Sequence, residues 1–116
     1  MKLTLAAIRR EVWRIVRNEI EVIHIVNLRG DCSARCEYTL DGRGIEIWVD
    51  PNAVRIDRGV IHEVLHKILD PYFETTFSYH VYEYFIIAIE ENIFKYITNK
   101  HQQKLVRLIN TKLEKG

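Results

Sequence analysis

Residues 57–70 read DRGVIHEVLHKILD, and this stretch decides both the predicted fold and the candidate site. Its centre, residues 62–66, is an HExxH motif, in which two histidines can bind one zinc ion and the glutamate can act as a general base. On a helix, His62 and His66 lie about 40° apart around the axis, so both imidazoles reach the same ion. Glu63 lies about 100° from His62, beside such an ion rather than on it. The motif therefore predicts a helix that carries two metal ligands and a base.

The residues around the motif predict an amphipathic helix from Asp57 to Leu69. Six aliphatic residues fall on one side of this helix, and the motif falls on the other. These six are Val60, Ile61, Val64, Leu65, Ile68 and Leu69. Asp57 is expected to cap the N-terminus of the helix, and Asp70-Pro71 to end it. Gly59 projects on the histidine side, where it either leaves room beside the metal or permits close packing of the helix.

A catalytic zinc ion usually takes a third protein ligand, and the next predicted helix offers two candidates. This helix runs from His80 to about Thr98 and is apolar around most of its circumference, as expected of a largely buried helix. Glu83 and Glu90 nevertheless fall on its apolar face, where each carboxylate needs a cation or a hydrogen-bond donor. Glu83, in the first turn, is the preferred ligand. Glu90 is the alternative ligand, or it orients a histidine or pairs with an arginine, and pairing of both acids with basic residues of other helices stays open.

The motif HEVLH, followed by a helix that bears a glutamate, resembles the gluzincin clan of zinc metallopeptidases. In a chain of 116 residues it is most similar to the minigluzincins and to small phage and ImmA/IrrE-like zincins. The resemblance covers residues 45–97 strongly and the rest of the chain by element order. It implies that His62, His66 and Glu83 bind zinc and that Glu63 polarises a water molecule.

The expected activity is hydrolysis of short or unfolded peptides by zinc-bound water, with Glu63 as the proton carrier. Tyr79 and His80 are the candidate donors to the oxyanion, because they lie nearest the face of the ligand glutamate. The peptide is expected to bind extended along an exposed strand edge, on a strand that the sequence does not identify. One position departs from the family pattern: Ile87 stands where larger gluzincins often place an acid, which keeps Glu90 open as a ligand.

Other classes of function are weighed beside this one. A non-catalytic, zinc-binding regulatory or structural module is the main alternative, since a metal can stabilise a small fold without reacting. A DNA- or partner-binding protein with a coincidental HExxH motif is a weaker one. The C-terminal segment is predicted as an amphipathic helix from His101 to Leu113. It either packs on the domain, or it lies across the cleft or on a second copy of the chain and keeps the enzyme latent.

Composition favours a single domain over residues 1–116, with 47% hydrophobic residues and a net charge of +1. That charge argues against nucleic acid as a partner. No stretch approaches the ~18 apolar residues of a membrane span, and arginines come too early for a signal peptide, so a cytoplasmic location is expected. Cys32 and Cys36 are expected to be free thiols, with a local disulfide or a latent fourth zinc ligand as alternatives.

Hydrophobic periodicity predicts an α+β fold, and the order of its elements resembles that of a minimal zincin core. A first helix from about Thr4 to Glu19 precedes a strand over Ile20 to Leu28. Two short strands, Glu37 to Leu40 and Ile45 to Asp50, flank the turn Asp41-Gly42-Arg43-Gly44 as a hairpin. The expected three-stranded sheet is mostly antiparallel, and the HExxH helix, the glutamate helix and the C-terminal helix follow it.

Overall fold

The computed structural model describes residues 3–30, 32–73 and 78–114. Within these ranges the chain forms four helices and one three-stranded sheet, which confirms the predicted α+β class and the order of the elements. In chain order the elements are α1 (Leu5–Asn18), β1 (Ile20–Ile25), β2 (Ala34–Tyr38), β3 (Ile45–Val49), α2 (Ile56–Phe73), α3 (Tyr79–Tyr96) and α4 (Asn99–Lys112).

The sheet is mixed, and the expectation of a mostly antiparallel sheet is wrong. Its strand order is β1-β3-β2, with β1 parallel and β2 antiparallel to the central strand β3. The burial and polarity of the side chains explain why β3 is central and β2 lies at an edge. Every second residue of β3 is fully buried, namely Ile45, Ile47 and Val49, whereas β2 carries charged and exposed side chains suited to an edge. The hairpin turn between β2 and β3 is as predicted, with Gly42 at a φ of 71°.

Helix α2 differs from its prediction at both ends. It passes through Pro71 and ends at Phe73, whose partly buried ring packs against the core and lies 5.5 Å from the ring of Phe85. This packing accompanies the extra turn at the end of α2. Pro71 lies in this turn, where it removes only one backbone hydrogen-bond donor from the helix. Asp57 is not the N-cap but a buried residue of the first turn, where its carboxylate accepts hydrogen bonds from Arg55 and Gln102.

Helix α3 is less buried than its apolar composition predicts. Only four of its residues, Tyr82, Ile86, Ile89 and Ile93, are buried. Val81, Tyr84 and Phe85 lie on another face and are 53%, 73% and 41% exposed. The helix therefore packs along one side only, and the expectation of a central, largely buried helix is wrong.

The core lies between the inner face of the sheet and the helices. The apolar side chains on one face of α1 and the six aliphatic residues predicted on α2 are buried in it; those of α1 are Ala7, Ile8, Val12, Ile15 and Val16. Helix α4 packs against β1, α1 and α2, and the backbone N–H of Glu114 donates to Ile23 O at 2.8 Å, along the outer edge of β1. Among the described helices, none combines the length and apolar character needed to cross a bilayer.

Candidate metal centre

The candidate site is built on one row of side chains along α2. Arg58, His62, His66 and Asp70 follow each other at intervals of four residues, so they lie above one another on the same face of the helix. The aliphatic residues on the opposite face are buried and fix the rotation of the helix. The row consequently faces α3, which brings a carboxylate to the two histidines.

Glu83 of α3 faces both histidines at once. Its Oε1 lies 2.5 Å from His62 Nε2, and its Oε2 lies 3.0 Å from His66 Nε2. One ligand atom from each of these three residues lies within 4.8 Å of the other two, and this is the one such group found in the described part of the chain. The structure therefore brings together the three residues predicted as ligands.

The outer nitrogen of each histidine is held by a second carboxylate. His62 Nδ1 lies 2.9 Å from Glu90 Oε1, and the other oxygen of Glu90 accepts from Arg58 at 3.2 Å. His66 Nδ1 lies 3.1 Å from Asp70 Oδ1. These contacts fix the rotation of both rings and leave each Nε2 directed at Glu83. Glu90 thus occupies the orienting position that its depth along α3 predicts, and it also pairs with an arginine.

The charge state of His62 follows from its two partners. Burial alone would lower the pKa of this imidazole, but the hydrogen bonds and charges of Glu90 and Glu83 outweigh burial and raise the pKa above its usual value. Ionised carboxylates at both ring nitrogens favour the protonated imidazole, which can donate from each nitrogen.

Glu63 lines the same cleft without joining the group of three. Burial is the main influence on its carboxyl group and raises its pKa, although the nearby His66 and His62 act in the opposite direction. A carboxylate with a raised pKa takes up a proton more readily than a solvated one. Its position is the one that the sequence predicts for a base.

The site opens into a cleft of about 960 Å³ between α2, α3 and β2. Tyr79 lines this cleft, whereas His80, the other predicted oxyanion donor, is exposed and is not among the lining residues. Tyr79 and His80 contact each other, with ring centroids 5.8 Å apart. The structure therefore leaves Tyr79 as the better placed of the two.

Both cysteines line the cleft and are free thiols, as predicted. Burial, reinforced by the charge of Glu63, raises the pKa of the Cys36 thiol to about 11. Neither sulfur belongs to the group of ligand atoms around Glu83, so a fourth ligand from Cys32 or Cys36 would require movement.

Two other expectations concern the surroundings of the site. Gly59 packs closely, because a Cβ added there would lie 3.1 Å from Val49 Cγ1 and 3.2 Å from Val54 Cγ1, and it also lines the cleft. The C-terminal helix α4 packs on the domain, and none of its described residues lines the cleft.

Sequence patterns alone did not indicate Asp70, Arg58 and Tyr82 as parts of the site. The sequence predicts Asp70 only as a helix end, yet its Oδ1 contacts His66 and also accepts a hydrogen bond of 2.5 Å from the Tyr82 hydroxyl. The signal was present in the spacing, because Arg58 and Asp70 stand four residues before and after the two histidines. No spacing in the sequence indicates Tyr82, because its contact with Asp70 depends on how α3 packs on α2.

Comparison of the chain with protein-family models, with curated proteins and with solved structures gave no match in any of the three searches.

Proposed function

We propose that this protein is a zinc metallopeptidase, with a minimal zincin core, that hydrolyses peptide bonds in short or unfolded peptides. One observation carries the proposal. Two imidazole Nε2 atoms face the two oxygens of one carboxylate, at 2.5 and 3.0 Å, while each Nδ1 is held by another carboxylate. Ion pairing alone would not require both rings to converge on Glu83.

The side chains fit zinc by their chemistry as well as by their positions. His62, His66 and Glu83 would hold the ion, and two imidazoles with one carboxylate are a common ligand set of catalytic zinc, which leaves a position open. When bound, zinc supplies a Lewis acid that polarises a carbonyl group and lowers the pKa of a water molecule to about 7. Glu90 and Asp70 would keep the rings oriented and raise their basicity as ligands.

Glu63 would carry the proton during hydrolysis. It accepts a proton from the water that attacks the carbonyl carbon, and it then donates that proton to the leaving amine as the C–N bond breaks. Its partial burial beside His62 and His66 favours this role, because the raised pKa of its carboxyl group suits both uptake and release of a proton. Tyr79 lines the cleft and would donate a hydrogen bond to the oxyanion.

The edge of β2 is the strand edge along which a peptide would bind. Ser33 O accepts from Asp50 N, and Thr39 N donates to Gly44 O, which sets the alternation of the ladder with β3. The backbone groups of Ala34, Cys36 and Tyr38 consequently point away from β3. These three residues also line the cleft, so an extended peptide added at this edge would pass the metal centre.

A non-catalytic zinc module is separated from a peptidase by one experiment. The protein is stripped with a chelator and titrated with zinc, and bound metal and cleavage of an unfolded protein are measured on the same samples. One zinc per chain together with chelator-sensitive cleavage supports the proposal. One zinc without cleavage at any protein concentration indicates a structural or regulatory module, and failure to bind zinc contradicts both functions.

A further inference from the structure

Lys67 is the one lysine or arginine among the described residues that line the cleft. It follows His66 on α2, is half-buried, and places its Nζ 3.7 Å from the centre of the Tyr38 ring on β2. This cation–π contact holds the ammonium group at the junction of α2 and the free edge of β2.

The charge of Lys67 is not neutralised by a carboxylate within the described ranges, where it forms no ion pair at 4.0 Å or less. Three of the five acids that line the cleft are engaged with histidines. Glu83, Glu90 and Asp70 each contact an imidazole within 3.1 Å, and the charge of Arg58 is directed at Glu90. Glu37 and Glu63, the other two acids of the cleft, form no ion pair with Lys67 at 4.0 Å or less, so Lys67 is a positioned cation that is available to an anionic group of a ligand.

The distance from the bond that is cleaved to Lys67 can be estimated along α2, which carries Glu63 and Lys67, and along β2, which carries Cys36 and Tyr38. Lys67 lies one turn beyond Glu63, about 6 Å along the helix axis, and Tyr38 lies two residues beyond Cys36, about 6.6 Å along the strand. Glu63 and Cys36 line the same cleft as Lys67 and Tyr38. An extended peptide at the edge of β2 would reach Lys67 about two residues from the bond that is cleaved.

From this geometry we propose that Lys67, held by Tyr38, selects peptides that carry an aspartate or glutamate about two residues from the cleaved bond. This inference rests on the proposed function and names the substrate class of that same site. Because the ammonium group is only half-buried, its contribution is that of a partly screened ion pair, and the preference for an acidic over a neutral residue should be about two- to fivefold.

The test uses zinc-loaded protein and peptides derived from denatured proteins, with cleavage positions mapped by mass spectrometry. Lys67→Glu reverses the charge of the subsite. Lys95→Glu is the matched control, because Lys95 lies on α3, outside the cleft-lining residues, and also contacts an aromatic ring, that of Tyr96 at 5.4 Å. A second readout is fluorescence anisotropy of two labelled, otherwise identical peptides, one with glutamate and one with lysine, bound to metal-free protein at low and high salt.

Enrichment of acidic residues about two positions from the cleavage site, reversed to basic residues in Lys67→Glu and retained in Lys95→Glu, supports the inference. Tighter, salt-sensitive binding of the glutamate peptide that Lys67→Glu abolishes also supports it. Cleavage without acidic enrichment, or with enrichment that persists in Lys67→Glu, overturns the role of Lys67 and leaves the peptidase intact. Zinc binding without any cleavage overturns the proposed function, and this inference with it.

Discussion

Replacing Glu83 and Glu90 in turn by glutamine should lower zinc affinity by very different amounts. Structural zinc sites bind with about 10–16 kcal/mol over four ligands, so one ligand contributes about 2.5–4 kcal/mol, which is a factor of about a hundred to a thousand. We expect a loss of that size in Glu83→Gln, because this carboxylate faces both Nε2 atoms.

Glu90→Gln should cost only about tenfold. Loss of an orienting partner lowers metal affinity by about ten- to a hundredfold, and a glutamine oxygen can still accept a proton from His62 Nδ1. The substitution also removes the leading contribution that raises the pKa of His62, so protons compete less with the metal and part of the loss is offset.

The affinities are measured at constant pH by competition with a chromophoric chelator, and circular dichroism checks that both variants are folded. Retained affinity in Glu83→Gln combined with loss of binding in Glu90→Gln would refute the assignment and make Glu90 the ligand. Equal, small effects in both variants would show that neither carboxylate binds the metal.

Three further outcomes are expected. The pKa of His62 is raised in the folded protein, so protonated His62 stabilises the fold fully below its pKa in the unfolded chain, about 6.5, and this stabilisation is lost as the pH rises through its pKa in the folded protein. The free energies of unfolding of wild type and His62→Gln, measured with urea in the presence of chelator, should therefore converge towards high pH. Gly59→Leu should destabilise the protein by about 1–3 kcal/mol, because its side chain would overlap Val49 and Val54; an unchanged urea midpoint would contradict this packing. Zinc at a hundred times its dissociation constant should stabilise wild type by about 2.7 kcal/mol in thermal unfolding and leave His66→Ala unchanged.

The parts of the molecule that depend on one helix could be predicted from the sequence. The buried face of α2, the positions of His62, Glu63 and His66, and the presence of Glu83 on the next helix all follow from helical spacing. An orienting role, one of those left open for Glu90, follows from its depth along α3, which can be counted in turns, and its contact with His62 Nδ1 agrees with that role. The contact of Asp70 with His66 could be predicted in the same way, because Asp70 stands four residues after His66.

The parts that depend on contacts between elements could not be predicted in the same way. The parallel pairing of β1 with β3 requires a crossover that strand patterns alone do not specify. The exposed face of α3 is apolar in sequence, so its exposure depends on which neighbours the helix has. The contact of Lys67 with Tyr38 joins residues 29 positions apart, on elements whose relative placement only the fold supplies.

Glu63→Gln provides the most direct test of the account. Zinc content and the rate of cleavage of an unfolded protein are measured together for this variant and for wild type. We expect one zinc per chain in both proteins and cleavage that is slower in the variant by about 10²–10⁴-fold, because glutamine cannot take up the proton. Cleavage at the wild-type rate by the variant, or loss of its zinc, would contradict the account.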